Sequence, residues 1–270
     1  MITVYPLKEF RFPVAAECLS PDVFENKKAS EIEALKLWEG NKQRILGELF
    51  KVEETGSGDA DVTIEGNVRE VREIGARMTK GSMLIKGEAG MHVGKEMEGG
   101  RIAVNGNAGA WTGSTMKGGE IEILGDCGDF LAAPYWGTRL GMNGGKITVH
   151  GNAGNEVGSC MKNGIIKIYG NAGQFAGFRM CDGTIYVNGN CGARAGACMT
   201  DGKIVIGGSV ELILSTFTIE GIKARVKIQE DETIEDEFYV FLGDLTENGK
   251  GKVYVSKQKN PQLRQYAKFL

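Results

Sequence analysis

Two histidines, His92 and His150, are the first candidates for acid–base or metal chemistry. A catalytic histidine works beside a nucleophile or an orienting carboxylate, and a metal site gathers its ligands. Neither histidine has a plausible nucleophile or ligand near it in the sequence. The six cysteines, Cys18, Cys127, Cys160, Cys181, Cys191 and Cys198, include no Cys-x-x-Cys pair, the spacing common to iron–sulfur and zinc sites. Gly106-Asn107-Ala108-Gly109 lacks the Gly-x-Gly spacing of a dinucleotide fingerprint and no helix is predicted after it. There is no Gly-Lys-Ser/Thr loop and no His-Glu-x-x-His. No local motif announces catalysis, so these side chains acquire meaning only from the elements that place them.

Those elements come from a repeat. The chain returns every 19 residues, once after 26, to a single phrase: Ile102-x-Val104-x-Gly106-Asn107-Ala108-Gly109, Ile121-x-Ile123-x-Gly125-Asp126-Cys127-Gly128, Ile147-x-Val149-x-Gly151-Asn152-Ala153-Gly154, Ile166-x-Ile168-x-Gly170-Asn171-Ala172-Gly173 and Ile185-x-Val187-x-Gly189-Asn190-Cys191-Gly192. It ends at Ile204-x-Ile206-x-Gly208-Ser209, and looser copies begin at Val62 and Met83. Seven methionines (Met78, Met97, Met116, Met142, Met161, Met180 and Met199) hold one register within it. A fixed period of this kind means a stacked architecture. Apolar residues two apart, broken by glycine, exclude helical repeats, and a propeller blade of ~40–45 residues is too long. One turn of a parallel β-helix fits. The predicted fold is all-β: a right-handed parallel β-helix whose 19-residue turns stack ~4.8 Å apart.

The columns of that stack then take physical roles. Sixteen Ile, Val and Met side chains in eight layers point inward, and the unbranched methionines fill the same interior. Gly66, Gly87, Gly106 and their equivalents are expected to supply positive φ at the corners. Asn67, Asn107, Asn152, Asn171 and Asn190, with Asp126, suit a left-handed bend and a side-chain ladder. Cys127 and Cys191 occupy the alanine position and read as interior residues. Cys160 and Cys198 are two turns apart, ~9.6 Å by the stacking distance, too far for a disulfide. His150 falls on the outward face of a strand. The outward pairs Ala103/Asn105, Glu122/Leu124 and Lys167/Tyr169 make no acidic column of the kind that calcium-dependent polysaccharide lyases carry.

Glycine, at 41 of 270 residues, is about double its usual share, and without the period of collagen. A net charge of −3 with no basic stripe gives nucleic-acid binding little support. No apolar run reaches membrane-span length and no signal core follows the N-terminus, so a cytoplasmic location is expected. Residues 1–60 read as a small α+β cap: strands at Ile2–Leu7 and Phe10–Val14, a turn at Ser20-Pro21-Asp22, a helix opened by a Ser30/Glu33 capping box with Ile32, Leu35 and Trp38 on one face, and a short helix from Ile45 to Phe50. Gly56-Ser57-Gly58-Asp59 reads as a hinge into the repeats, which occupy 61–209. Residues 210–270 read as a β-rich cap, with strands at Phe238–Leu242 and Lys252–Ser256, a short helix after Pro261, and a solvated acidic loop at Glu230–Glu237. Caps are needed because an open stack leaves strand edges unpaired.

The 13-residue phrase Gly-x-x-Met-x-x-Gly-x-Ile-x-Val-x-Gly occupies residues 75–87, 94–106, 113–125, 139–151, 158–170, 177–189 and 196–208, with Arg139 in place of glycine in the fourth copy. With Glu9-Phe10-Arg11-Phe12-Pro13, these seven copies make the chain resemble the C subunit of formylmethanofuran dehydrogenase over essentially its whole length. The resemblance implies a tungsten or molybdenum complex of methanogenesis that reduces CO2 with ferredoxin electrons and attaches it to methanofuran as a formyl group. It implies that the metal pterin, the iron–sulfur clusters and a dinuclear metal site lie on other subunits, leaving this chain as a non-catalytic scaffold with no cofactor of its own. The looser Gly-x-x-Gly-x-x-x-Gly element, as at Gly106/Gly109/Gly113, is shared with the C-terminal β-helix domain of glutamate synthase. A scaffold in an amidotransferase/flavin complex therefore stays open, as does a stand-alone β-helix enzyme.

Two features suggest where partner subunits would bind. If Val93, Thr112, Leu131, Val157, Ala176 and Ala195 face inward, alternation puts His92, Trp111, Phe130, Glu156, Phe175 and Arg194 outside. Trp, Phe and Arg are typical interface anchors, although a bent wall would make the same aromatics core. The step from Gly125 to Gly151 holds seven surplus residues between Asp129 and Leu140, around Ala132-Ala133-Pro134-Tyr135-Trp136-Gly137. Surplus residues bulge from a solenoid, so Tyr135 and Trp136 join Trp111, Phe130, Phe175 and Arg194 as interface candidates; Trp136 covering the side of the helix is the alternative.

Overall fold

Apolar residues spaced by two form short strands here, and the 19-residue period sets their pairing. The computed structural model describes residues 1–56, 58, 60–135 and 138–270 and is mostly β, with one large, mainly parallel sheet. The N-terminal strands are β1 (Ile2–Pro6), β2 (Val14–Ala15), β3 (Lys36–Glu39), β4 (Lys42–Ile45) and β5 (Phe50–Glu54). The repeats form β6 (Val62–Glu65), β7 (Val71–Arg72), β8 (Ser82–Lys86), β9 (Arg101–Val104), β10 (Glu120–Ile123), β11 (Asn143–Val149), β12 (Asn163–Ile168), β13 (Thr184–Val187) and β14 (Lys203–Ile206). The C-terminal strands are β15 (Thr218–Gln229), β16 (Glu232–Gly243) and β17 (Gly251–Ser256).

From β6 to β14, leaving aside β7, each strand pairs in parallel with the next, so Ile102 faces Ile121, Ile121 faces Ile147 and Ile185 faces Ile204. A second parallel column of single bridges joins Val68, Ala89, Ala108, Cys127, Ala153, Ala172, Cys191 and Val210. All sixteen predicted inward side chains are at most 2% exposed, and the seven methionines are fully buried. Each methionine reaches one layer on: the Met97 methyl lies 2.8 Å from where a Cβ on Gly119 would sit, and Met161 meets Gly183 at the same distance. The glycine that recurs opposite the methionine also has positive φ, 84° at Gly119 and 99° at Gly183, and a Cβ on Gly119 would meet the Gly100 carbonyl oxygen at 2.8 Å, so backbone and methionine together exclude a side chain there.

The sheet runs past the repeats at both ends. β1 pairs in parallel with β6, Val4 beside Ile64, and β17 with β14, Val253 beside Ile204. Met199 reaches Gly251 as earlier methionines reach their glycines. Both predicted end segments thus contribute layers of their own. The periodicity conceals them, because long connections stand between these strands and the repeats in place of one 19-residue step.

The side-chain ladder forms. Asn107 Oδ1 accepts the Asp126 N–H at 2.8 Å, Asp126 Oδ1 accepts Asn152 Nδ2 at 3.1 Å, and Asn152 Oδ1 accepts Asn171 Nδ2 at 3.1 Å. The expected left-handed geometry of these corners is not observed. Neither the ladder asparagines nor Gly87, Gly106 and Gly189 have positive φ; Gly66 alone does, at 93°. Glycine is required at Gly106 because a Cβ would lie 2.7 Å from the Gly87 carbonyl oxygen of the previous turn. Positive φ lies elsewhere in the repeat, at His92, Gly94, Glu96 and Gly100 and their equivalents.

The flanks correct several expectations. The capping contact is between Glu31 and the Lys28 N–H at 2.8 Å, and the helix covers only Ala29–Glu33. Leu37 and Trp38 follow in β3, where Trp38 is exposed, so no helical face unites Ile32, Leu35 and Trp38. Ser20-Pro21-Asp22 opens the one-turn helix Pro21–Phe24, and the helix expected at Ile45–Phe50 is a single 3-10 turn, Leu46–Glu48. The acidic run is strand, not loop: Glu232–Glu237 belong to β16, which pairs antiparallel with β15 and folds Val226, Ile228, Phe238 and Val240 onto Tyr186, Val205 and Tyr254. Ser57 and Asp59 of the expected hinge lie outside the described residues. No helix among the described residues is long and apolar enough to cross a membrane.

Candidate partner-docking face

The inward column is as alternation requires: Val93, Thr112, Leu131 and Val157 are fully buried, and Ala176 and Ala195 nearly so. The neighbouring column is left-handed at every turn, with φ of 63° at His92, 55° at Trp111, 63° at Phe130, 57° at Glu156, 61° at Phe175 and 65° at Arg194. Non-glycine residues avoid this region by roughly 1–2 kcal/mol. Hydrogen bonds to both neighbouring turns offset that cost: the Trp111 N–H donates to the Asp129 carbonyl at 3.0 Å, and the Gly113 N–H to the Val93 carbonyl at 2.7 Å. The strain recurs with the period, so it belongs to the architecture.

Side chains leave this column sideways and stack on one another. The His92 ring lies on Trp111 at 5.6 Å between centroids and 19° between planes, and Trp111 lies on Phe130 at 4.6 Å and 11°. Tyr135, from the insertion, closes edge-on against His92 at 5.0 Å and against Trp111 at 5.5 Å. Trp111 and Phe130 remain half-buried and Tyr135 is exposed. His92 is buried, its Nδ1 has no hydrogen-bond partner among the described residues, and burial pulls its pKa below the usual imidazole value. Trp136 lies outside the described residues.

Phe175 and Arg194 form a second group beyond Glu156. The Arg194 guanidinium lies 5.2 Å from the Phe175 centroid, Phe175 meets Phe178 edge-on at 5.8 Å, and Arg179 lies 5.2 Å from Phe178. The repeat pattern does not single out Phe178 and Arg179, although it holds a signal for the latter. Arg179 falls in a second left-handed column, with Arg77, Glu96, Thr115, Cys160 and Cys198.

The insertion is also placed more closely. Ala132, with φ of 60°, takes the backbone position of Gly113, and the Met142 N–H donates to its carbonyl as Met116 does to Gly113. Ala132, not Arg139, is therefore the counterpart of the repeat glycine, and the surplus lies between Ala132 and Met142.

The groups with chemical potential do not assemble. His150 is exposed, its Nε2 3.1 Å from Glu122 Oε1 and its ring stacked on Tyr169; the His150 contact, followed by Arg101, holds Glu122 below the usual carboxylate range. Burial pushes the thiols of Cys127 and Cys191 up to about 12 and that of Cys18 to about 11, which disfavours thiolate. Among the described residues no three His, Cys, Asp or Glu side chains come together to hold a metal ion. What the face offers is aromatic surface and guanidinium groups.

No protein-family model matches the chain. Over 88 residues it is 41% identical to the C subunit of the molybdenum-containing formylmethanofuran dehydrogenase 1 of Methanothermobacter thermautotrophicus, a match covering 33% of this chain and 22% of that protein. Over 95 residues it is 39% identical to the C subunit of the tungsten-containing formylmethanofuran dehydrogenase 2 of Methanothermobacter marburgensis, covering 34% of this chain and 35% of that one. The matches thus span 22% and 35% of these relatives' lengths. Among solved structures, a chain of the formyltransferase/hydrolase complex from Methylorubrum extorquens, determined with methylofuran, aligns over 94% of this chain and 99% of its own with a TM-score of 0.85 and 26% identity. The resemblance read from the repeats is to proteins of these names.

Proposed function

We propose that the chain is a scaffolding subunit of a formylmethanofuran dehydrogenase complex, in which other subunits hold the tungsten or molybdenum pterin and the iron–sulfur clusters, reduce CO2 and attach it to methanofuran as a formyl group. The observation that carries this reading is the whole-chain likeness to one chain of a larger complex solved with a furan carrier. The dehydrogenase names of the sequence relatives select the reaction. In this reading the chain is a right-handed parallel β-helix at 61–209, capped by 1–60 and 210–270; its two parallel columns in a single period support that coil. Trp111, Phe130, Tyr135, Trp136, Phe175 and Arg194 are the proposed contacts with other subunits, and the complex is cytoplasmic.

A second reading, a subunit of a formyltransferase/hydrolase complex, is favoured by the structural neighbour, which comes from such a complex. Purifying the chain from its native source with its companions separates the two. The dehydrogenase reading expects stoichiometric tungsten or molybdenum and formylmethanofuran-dependent reduction of a low-potential dye. Co-purified formyl transfer without either metal would favour the second. Purification as a lone chain would overturn both.

A further inference from the structure

Exposed cations on the early turns are paired across turns, as in Arg77 with Glu96, Lys117 with Glu98 and Arg101 with Glu122. The late turns of the left-handed face differ. Arg179 and Arg194 are not fully buried, and no carboxylate of the described residues comes within ion-pair distance of either. The nearby Glu156 carboxylate accepts from Ser159 Oγ at 3.2 Å. In an acidic chain this is a local surplus of positive charge.

The two guanidiniums are also held. Each lies within cation–π range of a phenylalanine, and the two rings support each other edge-on. A guanidinium resting on a ring keeps its in-plane N–H fork free and loses less freedom when that fork is engaged. A planar, pre-positioned fork matches a carboxylate through two parallel hydrogen bonds. We propose that Arg179 and Arg194 receive an acidic segment of a neighbouring protein subunit, with Phe175 and Phe178 as the apolar floor under its carboxylates. The assignment rests on the reading of the chain as a subunit and gives the chemistry of the partner at this end of the face.

The test uses the full 15N-labelled chain, the arginine Nε–H resonances, and an octapeptide of alternating Asp and Gly beside its Asn/Gly twin. The acidic peptide should shift Arg179 and Arg194 selectively, and ~0.5 M salt should suppress the shift by screening. Equal shifts with the Asn peptide, no shift at all, or a larger response to inorganic polyphosphate would overturn the proposal. In the reconstituted complex, R179Q/R194Q should weaken association by about ten-fold and flatten its salt dependence, while R179K/R194K, which keeps charge but not the planar fork, should recover only part. Association unchanged in R179Q/R194Q would overturn it too. If the wild-type chain fails to assemble with the catalytic subunits, the subunit reading falls and the peptide titration alone decides the acidic site.

Discussion

Ile168 has no freedom to change character. It is fully buried and lies in register between Val149 and Val187. Ile168→Asp would bury an unpaired carboxylate at a cost of several kcal/mol, so the melting temperature should fall by about 10 °C or more, followed by circular dichroism; a melt within a degree or two of wild type would mean the register is wrong. His92 makes a pH prediction. Burial lowers its folded pKa, so the unfolded chain binds the proton more readily, and stability is fully present above the unfolded value of about 6.5 and is lost as pH falls below it. Between pH 7 and 5 the wild-type melt should drop further than that of His92→Phe; parallel pH profiles would remove His92 as the cause. The apolar columns were legible because type and spacing both mark them. The left-handed column of the candidate face was not: Trp111 and Phe130 carry no residue-type signal for positive φ, while the corner asparagines and Gly106 are needed for a ladder and for close approach, and positive φ falls on other glycines such as Gly94 and Gly100.

At the scale of elements, the insertion is the test of independence between turns. Removing residues 134–140 joins Ala133 to Gly141 and recreates the spacing Gly113-x-x-Met116 as Ala132-x-x-Met142. The trimmed chain should keep its strand content and melt cooperatively, since turns stack through nearest neighbours, yet it should assemble poorly with partner subunits because Tyr135 is lost from the Trp111 stack. Assembly at wild-type level by size-exclusion chromatography would show that the loop is not a contact. Sequence periodicity located the surplus because 26 replaces 19 in a single step. It could not reveal that β1 and β17 are further layers, because other strands and short helices intervene and remove Val4 and Val253 from any fixed period, nor that β15 and β16 fold back over the sheet.

At the scale of the whole molecule, the proposed docking surface is one that the fold itself tolerates. Glu156 already occupies the left-handed column with φ of 57°, so Trp111→Glu should leave the isolated chain folded while weakening subunit association by ten-fold or more, on the order of a hot-spot loss. Unfolding of the isolated variant would instead assign the stack to the core. The part of the candidate site legible in the sequence was its column; its division into an aromatic group around Trp111 and a cationic group around Arg194 needed the side-chain geometry. That division has a metric consequence. The two groups stand four rungs apart in the order 111, 130, 156, 175 and 194, about 19 Å at the stacking distance. Adding or removing one whole period between them would leave every internal contact type intact and change that span by ~4.8 Å. In the β-helix reading the chain would act as a gauge block: its length is quantised by the backbone, and a partner gripping both groups would measure the number of turns.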